Sequence, residues 1–114
     1  GHRLNYEIDI PEDVQTLKLP SLLLQTLVEN AVKHGLYGVT GAVLIQIAGS
    51  LKEGDLEITV RNPSEEKFKK ASGTGFGLES LDRRLFLIFG RKDLLSYSQG
   101  DGQFTATLKI PQIK

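Results

Sequence analysis

Apolar and polar residues first alternate over 4–10, "LNYEIDI", where Leu4, Tyr6, Ile8 and Ile10 are separated by polar neighbours. Period two predicts a half-buried strand, and Pro11 ends it. The pattern then changes to a helical one over 21–34, "SLLLQTLVENAVKH", with Leu24, Leu27, Val28, Ala31 and Val32 as the expected buried stripe. Pro20 and Ser21 mark its start, and Gly35 stands where a left-handed cap belongs. Residues 36–41 are turn-rich. Residues 42–48 predict an apolar strand, "SLKEGD" a hairpin turn, and 56–62 the return strand. Residues 63–75 break the pattern, being charged and then glycine-rich, and predict a mobile loop. Residues 76–89 regain helical spacing at Leu78, Leu81, Leu85 and Ile88, and Gly90 closes that helix. A last hairpin is predicted over 93–98 and 103–110, joined through "QGDG" and stopped at Pro111.

The order is strand, helix, hairpin, loop, helix, hairpin. Hairpins make the sheet mostly antiparallel, and two helices with one apolar face each cover one side of it. The expected fold is therefore a two-layer α/β sandwich.

The chain has 114 residues, which predicts a single domain over 3–114. Fourteen basic residues balance fourteen acidic ones, so no bulk basic field draws the chain to nucleic acid or an anionic membrane. Any phosphate site must come from local geometry. Cysteine is absent, which removes disulfides and thiolate metal sites. No apolar run approaches the roughly 18 residues of a membrane span. Methionine is absent too, and Gly1-His2 reads as a cleavage scar on a domain cut from a longer chain.

Three stretches can carry chemistry. In "TLVENAVKHG", Thr26, Asn30, Lys33 and His34 fall on or near one helical face, with the leucines on another. The Asn30 carbonyl oxygen suits Mg²⁺, and Lys33 offers a point charge to a phosphate. The same residues also read as a solvated face with Glu29–Lys33 as an i,i+4 pair. In "SGTGFGL", Gly73, Gly75 and Gly77 alternate before a helix, which suits a phosphate cradle or a plain flexible turn. The spacing is neither a Walker A nor a dinucleotide fingerprint. In "ITVRNPS", Asn62 ends a strand, where its amide can pair with a base edge or serve a turn.

Taken in order, "LPSLLLQTLVENAVKHG", a short lid, "GTGFGLESLDRRLFLIFG" and a last hairpin ending in "LKIP" resemble the catalytic ATP-binding domain of sensor histidine kinases. This is the Bergerat-fold, or GHKL, superfamily that also holds gyrase B and MutL, and the resemblance is to its LytS-like branch. It covers about Pro20 to Pro111. It implies that Asn30 holds Mg²⁺ and that Lys33 and His34 lie toward phosphate and ribose. It implies that Gly73, Gly75 and Gly77, with Leu78 opening the helix, wrap the phosphates of ATP. Residues 63–74 would be the lid, with Lys67, Lys69 and Lys70 able to meet the γ-phosphate. Arg84 falls in the family's following helix motif, with a functional or a structural role. Asn62-Pro63-Ser64 stand where the family has Asp-x-Gly, so Asn62 would accept from the adenine amino group as a neutral acceptor. Ser80 replaces a common Asn, and Gln103-Phe104 replace a usual Gly-Thr.

Thr26 stands where the superfamily's hydrolytic members carry a Glu, which favours a kinase over an ATPase. Glu29 either polarises the acceptor histidine or pairs with Lys33. Neither His2 nor His34 fits the phosphoacceptor, so the resemblance implies transfer to a histidine on a neighbouring domain of the same protein. A response regulator then follows downstream. It further implies a cytoplasmic domain of a membrane-bound bacterial sensor, with no direct membrane contact. The alternatives are a degenerate signalling or dimerisation module of the same fold, suggested by "RNPS", and an ATPase of the superfamily.

Overall fold

In the computed structural model, residues 4–15, 21–38, 40–64 and 78–112 are described. The elements are β1 (Leu4–Asp9), α1 (Glu12–Gln15), α2 (Ser21–Gly38), β2 (Val43–Lys52), β3 (Asp55–Pro63), α3 (Leu78–Phe89), β4 (Leu95–Gly100) and β5 (Gln103–Pro111). The five strands form one sheet in the order β1-β2-β3-β5-β4. β1 runs parallel to β2, and every other pairing is antiparallel. The sheet is mixed and mostly antiparallel, the hairpins giving the antiparallel pairs and the helical crossover between β1 and β2 the parallel one.

One face of the sheet is buried. Val43, Ile45 and Ile47 of β2, Leu56, Ile58 and Val60 of β3, and Phe104, Ala106, Leu108 and Ile110 of β5 alternate inward. Leu23, Leu27 and Ala31 of α2 and Leu78, Leu81 and Leu85 of α3 meet them. Each fully buried leucine contributes about 1.5–3 kcal/mol by leaving water.

Several boundaries differ from the expected ones. Both hairpin turns shrink to two residues: Glu53-Gly54 with φ 51° and 86°, and Asp101-Gly102 with φ 53° and 75°. Two successive left-handed residues match the strand twist, so the ladder closes further than turn-forming composition suggests. β4 accordingly lies over 95–100, and β5 runs on to Pro111 opposite Asp55. β1 is not half-buried. It is an edge strand on which Tyr6 and Ile8 are 51% and 63% exposed, while Leu4 is partly buried against the core. Ile88 is likewise exposed, and the α3 stripe finishes on the partly buried Phe89. Gly90 closes α3 at φ 71°, its N–H donating to Phe86 O at 2.8 Å.

Gly35 does not cap α2. The helix continues to Gly38, and the left-handed residue before β2 is Gly41. Gly35 is buried where α2 crosses the sheet, and a Cβ there would lie 2.9 Å from Val43 Cγ1 and 3.6 Å from Asn62 Cβ. Its use is close approach, not a turn. Gly35→Ala is therefore expected to lower stability by about 1–3 kcal/mol through overpacking, against the roughly 0.5–1 kcal/mol that alanine normally gains inside a helix. A urea midpoint measured on both proteins checks this, and a midpoint that rises contradicts it.

Candidate functional site

The helical stripe explains the polar end of α2. Leu23, Leu27, Asn30 and His34 are spaced 4, 3 and 4 apart, which is one face of a helix. Asn30 and His34 continue the leucine stripe inward and are only 2% and 3% exposed. Leu24, Val28 and Val32, expected at its centre, are partly buried on its flank. Glu29 and Lys33 are exposed. The residues of "ENAVKH" therefore divide: Asn30 and His34 point into the fold, Glu29 and Lys33 out of it, and Thr26 is half-buried between. Glu29 accepts from Gln25 Nε2 at 3.4 Å. It forms no i,i+4 bridge, since the ion pairs among the described residues are Lys52–Glu57 and Arg91–Asp93.

Asn62 meets this end from the sheet. It follows Leu56, Ile58 and Val60 at period two, so it is a core-facing position and 1% exposed. The space left by Gly35 admits it, Nδ2 lying 3.8 Å from where a Cβ of that glycine would stand. Asn62 Nδ2 donates to Pro63 O at 2.8 Å and lies 3.1 Å from His34 Nδ1. The His34 ring stacks on Phe104, with centroids 4.5 Å apart, and Phe104 stacks on Tyr97 at 5.8 Å. Ser64, 1% exposed, is held by its N–H to Gly102 O at 2.8 Å and by Gln99 Nε2, which donates to its carbonyl at 3.1 Å.

Asn30 Oδ1, Asn62 Oδ1, Ser64 Oγ, Asp82 Oδ1 and Gln99 Oε1 are buried without a hydrogen-bond partner among the described residues. A buried oxygen left unpaired costs about 1–3 kcal/mol, so such atoms are rare in a plain core. Asn62, Ser64 and Gln99 lie together at one end of the sheet, and Asn30 stands one helical turn from His34, which contacts Asn62. Acceptor oxygens in that number suit a ligand that brings donors or a cation. The donor set also fits magnesium: a neutral amide oxygen serves an ion that keeps its waters and takes its other ligands from phosphates. No group of three or more acidic, histidine or cysteine side chains stands together among the described residues, so no all-protein metal cage is built there.

Burial pushes the His34 imidazole below its usual range. The unfolded chain takes up this proton near pH 6.5 and the folded chain only at lower pH. Below about pH 6.5 the unfolded state thus binds more protons, and stability falls as the pH drops toward the folded value, by up to about 1.4 kcal/mol per pH unit. Urea denaturation at pH 8 and 5.5 should show this loss, and His34→Phe should remove the His34 part of the slope. An equal slope in both proteins assigns it elsewhere.

Leu78, at the first turn of α3, is 3% exposed and packs in the core. Arg84 is half-buried, Ser80 exposed and Gln103 half-buried. Gly73, Gly75, Gly77 and the lid lysines Lys67, Lys69 and Lys70 lie outside the described residues. Gln99 joins this end without a signal in the sequence, whereas Ser64 and Phe104, which stand in two of the departures from the family pattern named above, both lie here. The signal for Phe104 was its place at period two with Ala106, Leu108 and Ile110. A cleft of about 430 Å³, lined in part by Arg61, Ser98, Gln103 and Thr105, opens on the uncovered face of the sheet. The buried oxygens without a partner among the described residues lie instead on the covered face.

The architecture is that of a histidine kinase catalytic domain. The catalytic domain of the histidine kinase ThkA superposes with a TM-score of 0.69 at 15% identity, over 97% of this chain and 82% of its own. The blue-light activated histidine kinase of Erythrobacter litoralis gives 0.67 at 18% identity, over 96% and 36%. No family model matches the chain. The sensor histidine kinase BtsS of Escherichia coli is 34% identical over 112 residues, and the sensor protein LytS of Streptococcus agalactiae is 29% identical over 122. Each alignment takes in 96% of this chain and 20% of the relative. The chain thus spans about a fifth of the length of these curated relatives. Over nearly its whole length it is similar to the LytS-like sensor histidine kinases, and it has the fold of histidine kinase catalytic domains.

Proposed function

We propose that this chain binds Mg-ATP and presents the γ-phosphoryl group to a histidine on a neighbouring domain of a two-component sensor kinase. The observation that carries the reading is that two amide oxygens, Asn30 Oδ1 on α2 and Asn62 Oδ1 at the end of β3, are buried without a partner among the described residues. Asn30 would hold magnesium, which when bound neutralises charge on the phosphates. Asn62 would accept from the base. Lys33, exposed one turn from Asn30, would supply a positive charge to the phosphates, and Glu29 would lie toward the acceptor side. Gly73, Gly75 and Gly77 would give backbone N–H groups to the phosphates, and residues 63–74 would close over them and exclude water.

The chain's own groups position and neutralise; none of them needs to form a covalent bond. Thr26, half-buried one turn before Asn30, carries no carboxylate to activate water. The partners of this reading are ATP and ADP, the acceptor-histidine domain of the same protein, and a response regulator acting through the whole kinase. Its place is the cytoplasmic side of a bacterial sensor. Among the described residues no helix is long and apolar enough to cross a membrane.

A second reading is a signalling module of the same fold that no longer binds nucleotide. The Asn62–His34–Phe104 packing favours it, because these side chains partly satisfy one another without a ligand. Incubation of the chain with γ-labelled ATP and Mg²⁺, with nucleotide-dependent thermal shift in parallel, separates the readings. The kinase-domain reading expects a shift to higher melting temperature, with no steady phosphate release and no label on the chain. Steady phosphate release revives the ATPase, and no shift at millimolar nucleotide favours the degenerate module.

A further inference from the structure

We propose that the cleft on the uncovered face of the sheet is a second binding site, which takes a small zwitterion with its carboxylate at Arg61 and its ammonium at Asp101. The inference goes beyond the nucleotide reading and does not depend on it.

Strand register builds the cleft. Glu7, Gln46, Arg61, Thr105 and Ser98 stand opposite one another in one row across the sheet. Their chain neighbours Ile45, Ile47, Val60, Phe104 and Ala106 are buried, so the row faces away from the helices. Thr105 and Ser98 carry short side chains, and beside Arg61 the surface is hollow there. The cleft also takes in Asp101, at the turn of the β4–β5 hairpin with φ 53°. Its volume of about 430 Å³ is that of a small-molecule site. Arg61 and Asp101 thus line one cleft with opposite charges, and Ser98, Gln103 and Thr105 add neutral hydrogen-bonding groups.

Neither charge is spent within the fold. The ion pairs among the described residues are Lys52–Glu57 and Arg91–Asp93, and neither Arg61 nor Asp101 takes part in one. Glu7 and Asp9 border a smaller hollow, of about 160 Å³, that Arg61 also lines. Glu7 accepts from Gln46 Nε2 at 3.0 Å instead.

The mixed charge decides the class of ligand. A phosphate dianion is drawn to Arg61 but repelled by Asp101, Glu7 and Asp9. A simple cation is repelled by Arg61. A neutral apolar molecule would cover hydroxyls and amides without pairing them. A molecule with one carboxylate and one ammonium meets an opposite charge at each end. The guanidinium can receive the carboxylate through two parallel N–H bonds. Amino acids and short peptides with free termini carry that pair of groups.

The test uses diglycine, N-acetyl-diglycine, which lacks the ammonium, and diglycine amide, which lacks the carboxylate. In ¹H–¹⁵N spectra, diglycine should cause a saturable shift of the Arg61 Nε–H and of the Ser98 and Thr105 amides. Each blocked analogue should bind about threefold or more weakly, since exposed charge pairs contribute modestly. Arg61→Gln should make diglycine and its amide bind alike. Asp101→Asn should make diglycine and its N-acetyl form bind alike, and asparagine keeps the turn because it tolerates a left-handed φ. Absence of a saturable shift at millimolar diglycine overturns the site, whatever the chain does with nucleotide. Shifts confined to Asn30, His34 and Asn62 also overturn it, because they place the probe on the covered face. Equal binding of the three probes overturns the charge assignment. A preference that survives either substitution in a folded protein removes that residue from the site.

Discussion

Asn30→Ala is expected to remove the magnesium dependence of nucleotide binding while leaving the domain folded. Asn30 lies on the buried stripe of α2, and its Oδ1 has no partner among the described residues. Little native hydrogen bonding to that oxygen is lost on truncation, and the expected change in stability is about 1 kcal/mol. The expected change in binding is larger. If Asn30 is the side-chain contact to magnesium, its loss should weaken Mg-ADP binding about tenfold or more and bring it close to the value in EDTA. Calorimetry with and without Mg²⁺, with a urea midpoint on the same samples, reads both effects. Magnesium that still tightens ADP binding to a folded Asn30→Ala protein would remove Asn30 from the metal site.

The largest expected effect on stability is at Leu27. It is fully buried on the same stripe, one turn before Asn30, and packs in the core with the sheet. Leu27→Ala removes its transfer energy and leaves a cavity, at a cost of about 2–5 kcal/mol. A domain of this size is stable by only about 5–15 kcal/mol, so the variant approaches the unfolding threshold. The urea midpoint should fall steeply with an unchanged slope. Because nucleotide binds the folded state alone in this account, saturating Mg-ADP should recover about 2–4 kcal/mol of the loss. A small effect, below about 1 kcal/mol, would mean that α2 can collapse onto the sheet and that the helix position is not set by this side chain.

Much of the fold could be read from the chain before its structure. Period-two runs placed β2, β3 and β5, and helical spacing placed α2 and α3, because burial on one face repeats a local signal many times. The departures have local causes. Gly35 looked like a helix end because glycine serves both caps and close contacts, and only the neighbouring Val43 and Asn62 show which. β1 looked half-buried because its pattern says which residues share a side, not whether anything covers that side. At the site, helical angle alone groups Asn30 and His34 with Lys33 on one polar face, because an angle does not say which side the fold covers. The spacing from Leu23 and Leu27 pointed inward instead. A polar residue kept on a buried stripe is informative for that reason: its desolvation needs a partner. The link from His34 to Asn62 joins residues 28 positions apart and leaves no local trace.

The most direct measurement is calorimetric titration of the wild-type chain with ADP and ATP, in Mg²⁺ and in EDTA. The account predicts saturable binding that magnesium tightens. Absence of binding at millimolar nucleotide in the presence of magnesium would contradict it, and would make the oxygens of Asn30 and Asn62 part of a protein–protein module of the same fold.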